Sequence, residues 1–217
     1  MSEIPLYTYF ITFAFLASIS IYIQPIGLSS YLKLFPPFLL ITLIIEILSF
    51  YLWNNGMNTY KLYNFFTLFE FCFYLFIISR IINSYRFRKI IIYIMLFYFV
   101  LSVINISFFQ RYTFHSITYS LGCLLIVASS VYYFFELFQL PKSIKLTNEP
   151  SFWICSGLLF YYCCSFPFLG IISFLSTIPK LLLNNVQTIL NVINVLLYSL
   201  FTIAFLCRVR IRKYISQ

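Results

Sequence analysis

Seven stretches of this chain are each long and apolar enough to cross a lipid bilayer, and that repetition restricts the fold more than any other feature. They run over about 5–23, 34–53, 61–80, 89–108, 113–138, 151–172 and 185–207. About 20 apolar residues in a helix cover the hydrocarbon core of a bilayer. The expected fold class is therefore an all-α polytopic membrane protein with seven transmembrane helices. The connectors are short and carry the helix breakers: Pro25 and Gly27, Pro36-Pro37, Asn54-Asn55-Gly56, Pro141 and Pro150, and Pro179. None has room for a soluble domain, so residues 1–217 are expected to form one transmembrane domain. The first apolar run has no positively charged leader or clear cleavage site, and is expected to stay in the protein.

Composition agrees. Of the 217 residues, 62% are hydrophobic and 9% charged, against about 25% charged in soluble domains. The net charge of +9 lies between the apolar runs, where it acts as a topology signal. No basic stripe or aromatic-interleaved loop is long enough to follow a nucleic-acid backbone, which excludes that class of partner. The six cysteines fall in or at the ends of apolar segments, without CxxC spacing or a nearby histidine. They read as packing residues, and no metal or other cofactor is expected.

Lysine and arginine accumulate at alternate connectors. Eleven of the fourteen are Lys33, Arg80, Arg86, Arg88, Lys89, Lys142, Lys145, Arg208, Arg210, Arg212 and Lys213; only Lys61, Arg111 and Lys180 fall on the other side. The positive-inside rule then places the N-terminus outside and the C-terminus in the cytoplasm. Asn64-x-x-Thr67-x-x-Glu70 in the third segment lines up with Asn185-x-x-Thr188-x-x-Asn191 in the seventh. Both segments end in basic runs, as a parallel 3+1+3 repeat with the fourth helix as linker would have it.

That layout resembles the seven-helix membrane folds of the opsins and of the SWEET/PQ-loop sugar carriers. The resemblance is one of architecture. It implies that Asn64 with Asn191 or Asn194 lines a substrate site, as asparagines on the third and seventh helices do in SWEET carriers. The chain departs from these families in its motifs: it has no PQ-loop pair, only Gln24-Pro25 in reverse order. It also lacks a lysine between Lys180 and Lys213, so a retinal Schiff base is excluded. Zinc-dependent seven-helix hydrolases need several histidines and an aspartate, whereas this chain has His115 alone and no aspartate.

Chemistry is expected where charge enters the apolar runs. Glu70 lies in the middle of Tyr63–Arg80, where a charge costs about 2.5–3.5 kcal/mol on insertion scales and marks a functional site. At 100° per residue Tyr63, Thr67, Glu70 and Tyr74 share one stripe. Glu46 shares a face with Thr42, Ser49 and Trp53; the fourth helix offers Asn105 and the fifth His115. Asn184, Gln187, Thr188, Asn191, Asn194 and Tyr198 fall on one arc of the seventh. The expectation is a polar cavity in the outer half of the bundle, with Glu46, Tyr63, Asn64, Thr67, Glu70, Asn105, His115, Asn191 and Asn194 as its ligand-binding residues. The asparagines are equally open to a structural role as interhelical hydrogen-bond donors and acceptors, at about 0.6 kcal/mol each. His115 and Arg111 are the candidate cations for the carboxylates. Glu136 is expected at the interface beside Lys142 and Lys145.

Three functions fit. The first is a membrane sensor or accessory subunit whose outer cavity takes a ligand and whose basic loops, through Arg86, Arg88, Lys89, Arg208, Arg210 and Arg212, meet anionic lipid or a protein partner. The second is a small-solute carrier, proton-coupled through Glu70. The third is an intramembrane lipid-modifying enzyme using His115 with Glu46 or Glu70; it lacks a nucleophile elbow or metal motif, so catalysis is the weaker expectation. Usage rich in Phe, Ile, Tyr and Asn fits an AT-rich genome, and the expected location is a bacterial inner membrane.

Overall fold

The computed structural model describes residues 5–23, 30–111, 113–139, 146–174 and 180–215, without the side chains of 168–174, 180–185, 187 and 208–215. These residues are all-helical, in seven α-helices: α1 (Leu6–Ile23), α2 (Phe35–Asn54), α3 (Tyr60–Ile81), α4 (Tyr85–Ile104), α5 (Ser116–Phe138), α6 (Pro150–Phe174) and α7 (Lys180–Ile215). A 3-10 turn at Ser30–Leu34 leads into α2, and a π turn at Asn105–Phe109 extends α4. Among the described residues, α2 to α5 and the Thr188–Cys207 part of α7 are long and apolar enough to cross a membrane, and α1 is a shorter apolar helix. Large apolar side chains such as Phe65, Phe97, Phe108 and Phe135 stand exposed on the outside of the bundle, as lipid-facing residues do. The chain is an integral membrane protein.

Three boundaries differ from the sequence expectation, each for a local reason. The fourth helix begins at Tyr85 rather than at 89. The Glu136 carboxylate accepts hydrogen bonds from the Asn83 and Ser84 amides at 3.0 and 2.9 Å, which satisfies the start of α4 and lets the basic run wind into its first turn. The fifth begins at Ser116 rather than 113, because Asn64 bonds the backbone of Thr113 and His115 and holds them outside the helix. The seventh runs from Lys180 to Ile215, beyond 185–207; no glycine or proline interrupts that stretch.

The core is organised on α3. In its apolar window 56% of residues are buried, against 22–33% in the other spans. Phe73 stacks on Phe38 of α2 with centroids 3.8 Å apart, and Tyr74 meets Phe201 of α7 at 6.1 Å. Phe71 meets Tyr98 of α4, Tyr119 of α5 and Tyr162 of α6 at 5.7, 5.1 and 5.2 Å. Around it, α5 packs on α6, α6 on α7, α7 on α1 and α1 on α2, whereas α2 meets α3 in only a few places. The start of α3 is tied to the start of α5 through Asn64 and His115, and the end of α3 to the end of α5 through Glu136. The two helices therefore run parallel, with α4 returning between them.

Gly122 of α5 lets that pairing close. A Cβ there would come within 2.8 Å of the Phe71 ring, which is itself hemmed in by three tyrosines. Although alanine is the better helix former, Gly122→Ala is expected to destabilise by about 1–3 kcal/mol through overpacking. Thermal unfolding in detergent will read this as a lower midpoint, and the effect should shrink in a Phe71→Leu background.

Candidate functional site

The nine residues expected to share one cavity divide among three places. Asn64, Thr67, Asn105 and His115 form a closed hydrogen-bond network at the N-terminal end of the bundle. The Asn64 side chain donates to the Thr113 carbonyl at 2.9 Å and accepts from the His115 amide at 3.1 Å. The His115 ring, fully buried, meets the Thr67 hydroxyl through Nε2 and the Thr118 hydroxyl through Nδ1, the latter at 2.8 Å. Asn105 donates to Thr118 at 3.2 Å and to Gln110 at 2.8 Å. Every member has a partner inside the network, so its work is to fasten the α4–α5 connector onto α3. His115 is held by hydroxyls rather than by either of the carboxylates proposed for it. Thr118 and Gln110 were not anticipated, although Thr118, one helical turn after His115, was within reach of spacing arguments.

Glu46 lies elsewhere, on the wall of a cavity of about 510 Å³ between α1, α2 and the start of α3. Tyr7 donates to its Oε2 at 2.8 Å and Tyr63 to the same oxygen at 3.3 Å. Oε1 has no hydrogen bond among the described residues, and the Ser49 hydroxyl beside it is buried without a partner. Aromatic rings of Tyr9, Phe50 and Trp53 complete the wall. Tyr7 escaped the sequence reading because nothing in α1 marks which of its tyrosines faces α2.

Glu70 occupies the third place, in the middle of the bundle. The hydroxyls of Tyr74 and Tyr162 stand close to its carboxylate but outside hydrogen-bond geometry. Tyr119, Tyr161 and Tyr198 lie within its electrostatic reach, and so does Glu46. Tyr198 of α7 is near both carboxylates. The same helix contributes little through its asparagines: Asn194, half-buried, donates to its own Leu190 carbonyl at 3.0 Å, and Asn191 is half-buried one turn away. The side chains of Asn184, Asn185 and Gln187 lie outside the described residues. Among the described residues no three of His, Cys, Asp and Glu gather as a metal site would require.

At the opposite, basic end a second cavity of about 550 Å³ is lined by Arg80, Arg88, Asn83, Tyr133 and Glu149. Arg88 turns inward and donates to the Ile82 carbonyl at 3.0 Å, so it belongs to the fold of this end. Arg86 and Lys89 stay exposed, with the Lys89 ammonium 4.5 Å from the Tyr85 ring. Lys142 and Lys145, and the side chains of Arg208, Arg210 and Arg212, lie outside the described residues.

No protein-family model, curated protein or solved structure matches this chain. Its site is therefore read from its own geometry.

Two measurements test the network around His115. Thr67→Val and His115→Ala should each destabilise by about 1–3 kcal/mol and couple by about 0.5–3 kcal/mol in a double-mutant cycle, followed by unfolding in detergent. His115 lies in the connector ahead of the α5 span, and burial pushes its imidazole down from 6.5 to about 4. Between those values the unfolded chain binds the additional proton. The contribution of His115 is complete above pH 6.5 and declines as pH falls toward 4, a slope that His115→Gln should remove.

Proposed function

We propose that this protein is a membrane sensor or accessory subunit in which a ligand enters the cavity beside Glu46 and a partner protein meets the basic end. The observation that carries the reading is the Glu46 cavity itself, lined by a carboxylate whose Oε1 accepts no hydrogen bond among the described residues. Under the positive-inside rule this cavity faces outward and the Arg86 and Lys89 end lies in the cytoplasm. In a bacterial host that places the protein in the inner membrane. Between the two ends runs α3, which touches the cavity through Tyr63 and the basic end through Arg80. A shift of α1 or α2 on ligand binding would therefore press on the helix that reaches the partner surface.

A second reading, a small-solute carrier, is favoured by the centre of the bundle. The hydroxyls of Tyr74 and Tyr162 beside Glu70 are buried without hydrogen-bond partners, and so are those of Tyr98, Ser102, Ser130 and Ser165 elsewhere in the bundle, the kind of groups that a proton or solute path needs. The parallel 3+1+3 repeat draws less support from packing, since α6 lies close along α7 whereas the corresponding α2 and α3 are held farther apart by rings between them. An acid–base role for His115 has no support in the geometry, because both its ring nitrogens are engaged.

Photo-crosslinkers placed at Arg86 and Lys89 in native membranes test the first reading. The expected outcome is one recurrent protein partner, lost when the crosslinker at Arg86 is combined with Lys89→Glu, or the crosslinker at Lys89 with Arg86→Glu, while the protein level is unchanged. Failure to capture any partner, together with gradient-driven uptake in proteoliposomes that Glu70→Gln abolishes, would replace the sensor by the carrier.

A further inference from the structure

We infer that the cavity beside Glu46 takes a small organic cation, a primary amine carried on an apolar or aromatic body. This inference rests on the cavity being a ligand site, and goes beyond it by naming the chemistry. The volume, about 510 Å³, lies in the ordinary range for small-molecule pockets. What distinguishes it is the asymmetry of its carboxylate. Both tyrosine hydroxyls, from Tyr7 and Tyr63, are spent on Oε2 at 2.8 and 3.3 Å. Oε1 is left as an acceptor with no donor among the described residues.

An acceptor left open in a poorly solvated wall calls for a donor from the occupant. The charge calls for more than a donor. Among the described residues the cavity wall holds no lysine, arginine or histidine, so none of them supplies the positive charge that an ionised Glu46 pairs with, and an occupant can. An anion would meet the carboxylate directly, and a divalent metal would find one carboxylate where it needs several oxygen ligands. An ammonium meets both requirements: three N–H donors and a unit charge. The rest of the wall suits the body of such a molecule. Tyr63, Phe50 and Trp53 present ring surface, which binds apolar groups and stabilises a cation held over a ring face. The hydroxyls of Tyr7 and Tyr63 fix the carboxylate so that Oε1, rather than either oxygen at random, receives the ligand.

Trp53 sits on the rim of the cavity, 69% exposed, and reports occupancy. The other tryptophan, Trp153, donates its indole N–H to the Thr147 carbonyl outside the cavity, and is replaced by phenylalanine to isolate the signal. The experiment titrates Trp153→Phe protein in nanodiscs with 2-phenylethylamine, 2-phenylethanol and phenylacetate, following Trp53 fluorescence against empty nanodiscs. A saturable response to the amine is expected, at least about tenfold tighter than to the alcohol, with none to the carboxylate. Glu46→Gln should weaken the amine by roughly tenfold or more and leave the alcohol within about twofold. An alcohol that binds as well as the amine, or an amine response indifferent to Glu46→Gln, would overturn the cation while leaving the cavity as a ligand site. Absence of any saturable amine response overturns the inference outright. Amine binding without a crosslinked partner at Arg86 or Lys89 would instead uphold the cation and remove the sensor.

Discussion

Lipid offers no hydrogen bonds, so each polar group carried into the bilayer must find its partner inside the bundle. That constraint decides which helix lies at the centre. The third helix carries Asn64, Thr67, Glu70 and Tyr74 along one side, and none of them can face hydrocarbon without penalty. The bundle therefore closes around α3, and aromatic rings from α2, α4, α5, α6 and α7 fill the space beside those polar groups. The two ends of α3 are where the chain leaves the apolar region, and there the same demand is met by clamps: Asn64 on the backbone ahead of α5, and Glu136 on two amides ahead of α4. Each clamp joins elements about 50 residues apart in sequence and pins parallel helices that no short connector could hold in register.

Membrane class was legible in the sequence because it depends on long windows of composition, which no single contact can reverse. All seven expected segments coincide with helices. Helix ends were less legible wherever a distant side chain set them. Nothing within Tyr85–Lys89 announces that a carboxylate from α5 will satisfy the amides before it, so a basic run that reads as a loop becomes a first turn. The site was legible in part. Carboxylates in apolar runs stand out by cost alone, and Glu46 and Glu70 do occupy the interior. The polar residues around them were assigned to one cavity because helical-wheel arithmetic gives a face but not the neighbour that the face meets. Asn64 turns to the α4–α5 connector instead, and the His115 ring, carried by that connector, turns to Thr67 and Thr118.

Tyrosine does much of the work that charged partners do in soluble proteins. Among the described residues neither carboxylate has a lysine or arginine beside it; hydroxyls of Tyr7 and Tyr63 serve Glu46, and Tyr74 and Tyr162 stand beside Glu70. A phenol brings a donor into the bilayer at less cost than a cation, because its ring packs as core and only its tip is polar. With 19 tyrosines and one histidine in the chain, the interior is polar without being charged, which explains how a carboxylate can be kept at the centre of so apolar a protein.

The packing is also uneven in a way that bears on how such a bundle could respond to an occupant. The α3–α5 pair is clamped at both ends, and α5, α6, α7 and α1 pack continuously onto one another. The backbones of α2 and α3 stand farther apart, with rings between them, and the Glu46 cavity opens along the α1 and α2 side of that seam. Across that seam Tyr63 of α3 bonds Glu46 of α2, while farther along Phe35 and Phe38 of α2 pack on Phe69, Phe73 and Tyr74 of α3. An occupant on Oε1 would pull on the same carboxylate that Tyr63 holds through Oε2 and leave the ring packing intact. The motion available to the bundle is then a swing of α2 about the Phe38–Phe73 contact rather than a rearrangement of α3 itself. A frame of clamped helices with one weakly seamed neighbour is what converts a local change in hydrogen bonding into a displacement of defined direction.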